Sequence, residues 1–164
     1  MRLAVVAVGR LKSGPERSLV ERYRERIEAL GRPLGLSPFE LSEISEGRPR
    51  RAPDRRGEEA EALLQRSGPA ALIAFDERGK TMTSDAFAAL IARWRDDGRP
   101  GAACVVGGPD GLDETIRARA DLVLSFGALT LPHQLVRVLV VEQLYRALTI
   151  LAGHPYHRGD QDTP

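Results

Sequence analysis

The chain has 164 residues, 42% of them apolar, with 24 cationic and 23 acidic side chains and a formal net charge of +1. That length is enough for a single domain with a real core, and the near balance of charge neither demands nor excludes an anionic partner. A single cysteine, Cys104, excludes an internal disulfide. The uncharged run "VLVV" near the C-terminus is far short of the roughly 20 apolar residues of a membrane span.

The start runs straight into "LAVVAV" with no cleavable-signal pattern, so a soluble cytoplasmic protein is expected. "RLAVVAVG" is β-branched and bounded by Gly9, which predicts a buried strand. "PERSLVERYRERIEAL" carries apolar residues at helical spacing (Leu19, Val20, Tyr23, Ile27, Leu30) and predicts a helix ending at Gly31. "PFELSEI" alternates apolar and polar residues, as a half-covered strand does. "EGRPRRAPDRRGEE" reads as an Arg-, Pro- and Gly-rich loop leading into the helix "GEEAEALLQR". Its arginines suit phosphate oxygens and suit a solvated loop equally well; only Lys12 and Lys80 among all the cations are lysines.

"AALIAF" predicts a strand, and "SDAFAALIARWRDDG" a helix with Ser84 as N-cap, Gly98 as stop and Trp94 in the core. "AACVVGG" follows as a strand, "LDETIRARA" as a helix and "LVLSFG" as a strand. A last helix begins after Pro132; it is apolar on nearly every side, with Arg137 in its middle. Strict alternation of strand and helix predicts an α/β fold with a mostly parallel sheet covered by helices on both faces. Ligands in such sheets sit beyond the carboxyl ends of the strands.

Three strand ends carry glycines. "GRLKSG" is not the dinucleotide fingerprint. Gly79-Lys80-Thr81 imitates the end of a phosphate loop, but Ala74 stands where that loop needs a glycine, so Lys80 reads as a solvated turn residue. "VVGGPDG" is different: adjacent Gly107 and Gly108 let a flat ligand approach the backbone. With the uncharged "SFGALTL" at the next strand end, main-chain groups suit an adenine and a ribose better than a polyphosphate. The same stretches also read as two ordinary turns.

"GGPDGL", "LSFGALTLPHQLVRVLVVEQLYRA" and "HPYHR", together with the opening "RLAVVAVGRLK", resemble the ribosomal RNA large-subunit methyltransferase H family, small SPOUT-class enzymes; the resemblance spans the whole chain. It implies an α/β trefoil knot, a feature that periodicity cannot show. It also implies S-adenosyl-L-methionine as cofactor and a homodimer using the last helix. The implied substrate is N3 of a pseudouridine in helix 69 of 23S rRNA, within the assembled 70S ribosome.

Carried over position by position, cofactor contacts fall on Phe75, Gly107, Phe126, Gly127, Ala128, Leu129, Thr130 and Leu131. Phe75 and Phe126 stand where the family often has leucine. His157 is then the candidate base, Arg158 and Arg146 the cations, and Tyr156 a stacking partner for the flipped base. No metal is expected, since the spacing of His154, His157 and Asp160 matches no strong ligand motif. Residues 1–158 make the domain. "GDQDTP" runs past the point where relatives stop, and its composition predicts a disordered extension. Alternatives from the sequence are a methyltransferase of this fold with another RNA target such as tRNA, a non-catalytic ribosome-binding module, and a small-nucleotide-binding α/β protein.

Overall fold

The computed structural model describes residues 1–158, without the side chains of His157 and Arg158; the expected extension at 159–164 lies outside the described residues. Five strands form one sheet: β1 (Arg2–Val8), β2 (Phe39–Ile44), β3 (Ala71–Lys80), β4 (Gly101–Val106) and β5 (Leu122–Leu124). Their order is β2-β1-β4-β3-β5, with every pairing parallel. The helices are α1 (Pro15–Gly31), α2 (Ala52–Ser67), α3 (Ser84–Asp96), α4 (Glu114–Arg119) and α5 (His133–Leu151), followed by a 3-10 turn, Pro155–Arg158.

Period-two alternation sorts the strand residues onto two faces. Leu3, Val5 and Ala7 of β1, with Ile73, Phe75, Cys104 and Val106, join the core under α1, α3 and α5. Ala4, Val6 and Val8, with Leu72, Ala74, Ala103 and Val105, meet Ala60 and Leu63 of α2 and Ile116 of α4 on the other face. Trp94 is core, as expected. Cys104 is 1% exposed in β4, which lies between β1 and β3, and burial pushes its thiol pKa up.

Three local expectations are corrected. α2 begins at Ala52, inside the stretch read as a loop, because Pro53 sits in the first turn, where its missing N–H costs nothing, and Asp54 favours the helix N-terminus. The cap of α3 is Thr83, whose hydroxyl accepts from the Ala86 amide at 3.2 Å; Ser84 donates instead to Gln143 of α5 at 2.7 Å. β3 runs on to Lys80, which is therefore a strand residue. Its pairing with β5 breaks after Phe75 and resumes at Lys80, both opposite Leu124. Gly79 makes this return possible, since a Cβ there would stand 2.6 Å from the Leu124 backbone.

The last helix, α5, is apolar nearly all round, as expected. It packs against both α1 and α3, burying Val138, Val140, Val141, Leu144, Ala147 and Leu148. Much of its all-round apolar character is thus used within one chain. Arg137, 1% exposed, donates to Glu43 of β2 at 2.7 Å and to the carbonyls of Val8 and Gly9 at 3.0 and 2.9 Å.

Candidate active site

The carboxyl ends of β3, β4 and β5 open onto a cavity of about 850 Å³. Phe75, Val106 and Leu124 come from the strand ends themselves, and Leu131 and Val136 from the approach to α5 and its first turn. Phe75 and Phe126 stack at 5.2 Å between ring centroids with planes 21° apart, making an apolar wall. The turn 107–111 and the segment 125–131 supply backbone. Ser125 fixes the latter: its amide donates to the Lys80 carbonyl at 2.9 Å, and its hydroxyl donates to the Gly127 carbonyl at 2.8 Å. Of the expected cofactor residues, Phe75, Gly107, Phe126, Gly127, Leu129, Thr130 and Leu131 line the cavity, whereas Ala128 is exposed and lies off its wall.

The glycine pair serves a different end from the one read in the sequence. A Cβ on Gly107 would meet the Gly111 backbone at 2.8 Å, and one on Gly108 the Val8 side chain at 2.8 Å. These glycines let the turn close on itself and on the sheet; the room they give is internal, not ligand space.

Sequence reading expected a neutral site. The cavity has a charged wall as well, which that reading missed. Asp76, at the point where β3 leaves β5, pairs with Arg117 of α4 at 3.0 Å, and both are largely buried. Arg117 also donates to Glu114 at 2.6 Å and to the Leu112 carbonyl at 2.7 Å, and the two carboxylates, Glu114 first and then Asp76, hold its pKa up. Asp110 in the glycine turn accepts from Arg55 at 2.7 Å, which lowers its carboxyl pKa. The only signal available in the sequence was position: "DER" directly follows the carboxyl end of a strand, while α4's approach to it is a matter of packing.

Two of the expected catalytic residues lie elsewhere on the chain. Arg146 and Tyr156 do not line the cavity. From His133, at the cavity, to Arg146 is about 20 Å along α5 at ~1.5 Å per residue. There Glu142 holds both residues: Arg146 pairs with it at 2.8 Å, and the Tyr156 hydroxyl donates to it at 3.2 Å and meets the Tyr23 hydroxyl of α1 at 3.2 Å. Arg146 lies 5.2 Å from the centre of the Tyr156 ring, and Tyr145 packs against that ring at 4.8 Å. The Glu142 bond holds the Arg146 pKa up, and burial, reinforced by Tyr23 and Glu142, raises that of Tyr156. The backbone of His157 and Arg158 continues this 3-10 turn, but their side chains fall outside the described residues. Among the described residues no group of three or more side chains is placed to hold a metal ion, and no helix is long and apolar enough to cross a membrane.

The parallel sheet with a backbone-rich cavity at its switch of strand order is matched by the family described as predicted SPOUT methyltransferase, over residues 1–157. A crystal structure of a probable methyltransferase from Bordetella pertussis Tohama I shares the fold, with a TM-score of 0.50 at 18% identity over 89% of this chain and 95% of that one. Fold and family match define a SPOUT methyltransferase. Among curated relatives, ribosomal RNA large subunit methyltransferase H of Methylobacterium nodulans is 62% identical over 160 residues, covering 97% of this chain and 99% of that protein. The protein of the same name from Brucella abortus is 55% identical over 168 residues, covering 96% and 99%. The chain belongs to the ribosomal RNA large subunit methyltransferase H family.

Proposed function

We propose that the protein is an S-adenosyl-L-methionine-dependent methyltransferase that acts on N3 of a pseudouridine in helix 69 of 23S rRNA, within the assembled ribosome. The observation that carries this is the cavity beyond β3, β4 and β5 in a chain of this family. Its Phe75–Phe126 wall suits an adenine ring, and its exposed main-chain groups at 107–111 and 125–131 suit hydrogen bonds to base and ribose. Five carboxylates against three arginines line the cavity, a negative balance that suits a cationic ligand. The bound cofactor supplies an activated methyl group, so what is left to the chain is to position, desolvate and deprotonate the acceptor.

N3 of the base keeps its proton at neutral pH and attacks only once that proton leaves. His157 is assigned as the acceptor of that proton, and Arg158 as the cation that favours the resulting anion. Arg146 and Tyr156 take a different part from direct contact with the base. With its hydroxyl held by Glu142 and Tyr23 and its ring packed against Tyr145, Tyr156 anchors the turn that carries His157 and Arg158. Because this anchor is more than three helical turns along α5 from the chain's own cavity, we assign the tail to the cavity of a second copy in a homodimer. The path is taken to be knotted where Gly79 packs on Leu124. A cytoplasmic location goes with this substrate.

The test is transfer of radiolabelled methyl from S-adenosyl-L-methionine to 70S ribosomes from a strain lacking the modification, with mass spectrometry to locate the product. Label on the helix 69 pseudouridine is expected, and a chain lacking residues 154–164 should bind the cofactor and transfer nothing. No transfer by the intact chain, or label on tRNA instead, would overturn the reading.

A further inference from the structure

We propose that residues 48–56 form a phosphate-gripping surface at the cavity mouth, and that its partner is the sugar-phosphate backbone of RNA. "RPRRAPDRR" holds five arginines and one acid in nine residues. Arg48, Arg50 and Arg51 are exposed. Arg48 and Arg50 make no ion pair among the described residues, and Arg51 reaches Asp54 only at 4.0 Å with both side chains well solvated. Arg56 lines the cavity. The neighbouring loop after β1 adds exposed Arg10 and Lys12, and the two loops touch where Gly9 meets Glu46.

This surface is built rather than loose. Arg55 spends its fork on internal bonds: Nε donates to Asp110 of the glycine turn at 2.7 Å, and one terminal nitrogen donates to the carbonyls of Pro49 and Arg50 at 3.1 and 2.7 Å. Buried Glu59 accepts from the Gly47 amide at 2.8 Å while lying beside Gly108. One arginine and one glutamate thus tie the loop to the same turn that walls the cavity. The backbone that carries the remaining arginines is held next to it, so that mainly their side chains are left to order on binding. Planar, permanently charged guanidinium groups with no acidic partner match phosphate oxygens bidentately, and a string of them matches a repeating phosphate chain. The inference rests on the rRNA reading for the identity of the RNA, but the surface is tested on its own.

The experiment is co-sedimentation with 50S subunits at 50 to 200 mM KCl, comparing the intact chain with Arg48→Gln/Arg50→Gln/Arg51→Gln. The control, Arg32→Gln/Arg66→Gln/Arg93→Gln, removes the same charge from exposed positions at the C-terminal ends of α1, α2 and α3, away from the carboxyl ends of the strands. Each phosphate contact adds roughly 0.7–0.9 to the slope of log affinity against log salt, so the first variant should bind more weakly with a slope shallower by about 2–3. The control should keep the slope. Calorimetry with S-adenosyl-L-methionine checks that the first variant keeps its cavity. Equal slopes for all three chains overturn the proposal. So does weaker binding by the first variant with an unchanged slope, which would mark a protein partner. Absence of methyl transfer by the intact chain would bear on the assigned reaction alone, because sedimentation reads the surface without it.

Discussion

Arg137 is the residue on which one edge of the fold closes. Its guanidinium takes up the last carbonyl of β1 and that of Gly9 beyond it, and pairs with Glu43 on the neighbouring strand; the same carboxylate accepts the Leu11 amide at 2.8 Å. Burial lowers its pKa and Glu43 opposes that, so the charge is kept but at a cost. Its Nε has no partner among the described residues. Arg137→Ala leaves two carbonyls buried with no donor, while Glu43 can still turn to water. A loss of about 3 kcal/mol is expected, read as a shift in the urea midpoint. Arg137→Lys should recover only part of this, since an ammonium group cannot span acceptors on two strands as a planar fork does. The sequence made Arg137 conspicuous as a charge in an apolar helix. That its partners lie at residues 8, 9 and 43 follows only from the parallel pairing of β1 with β2.

At the scale of elements, the alternation of strands and helices was legible because each strand is a short apolar run and each helix repeats its apolar residues every three or four positions. What misled was punctuation. Pro53 and the arginines around it look like a loop, yet proline in a first turn starts a helix as readily as it breaks one. The continuation of β3 through "DERGK" has no apolar pattern at all; it exists because Gly79 lets the backbone return to Leu124. The cavity's apolar wall was legible from Phe75 and "SFGALTL", whereas the Asp76–Arg117 pair joins residues 41 positions apart and needed the folded chain. The tail was legible as a polar segment, but its docking on α1 and α5 was not. Glu142→Ala should release it: amide exchange over 152–156 is expected to quicken by roughly tenfold, the loss of about one net hydrogen bond. Affinity for S-adenosyl-L-methionine should hold, because Glu142 is not at the cavity. Unchanged exchange would mean that ring packing against Tyr145 alone fixes the turn.

For the whole molecule, the distance between cavity and tail sets the decisive test of assembly. If each active centre takes its cavity from one copy and its tail from another, two defective chains should repair each other. A chain with a cavity blocked by Gly127→Trp and a chain lacking residues 154–164 should each be inactive, and their co-expressed mixture should regain about a quarter of wild-type methyl transfer. A mixture as inactive as its components would place cavity and tail of one centre in the same chain. Light scattering at micromolar concentration should find two copies per particle.

Cys104 gives this chain a built-in reporter. Its thiol is enclosed in β4 with paired strands on both sides and helices over both faces, so a thiol-specific reagent can reach it only when the sheet parts. In the regime where reclosing outruns labelling, the modification rate measures the free energy of that opening without denaturant. Ellman's reagent should leave the native protein nearly untouched over minutes and modify Arg137→Ala on the order of a hundredfold faster, as about 3 kcal/mol requires. A single native thiol thus provides a stability scale for every variant above, with no label to engineer.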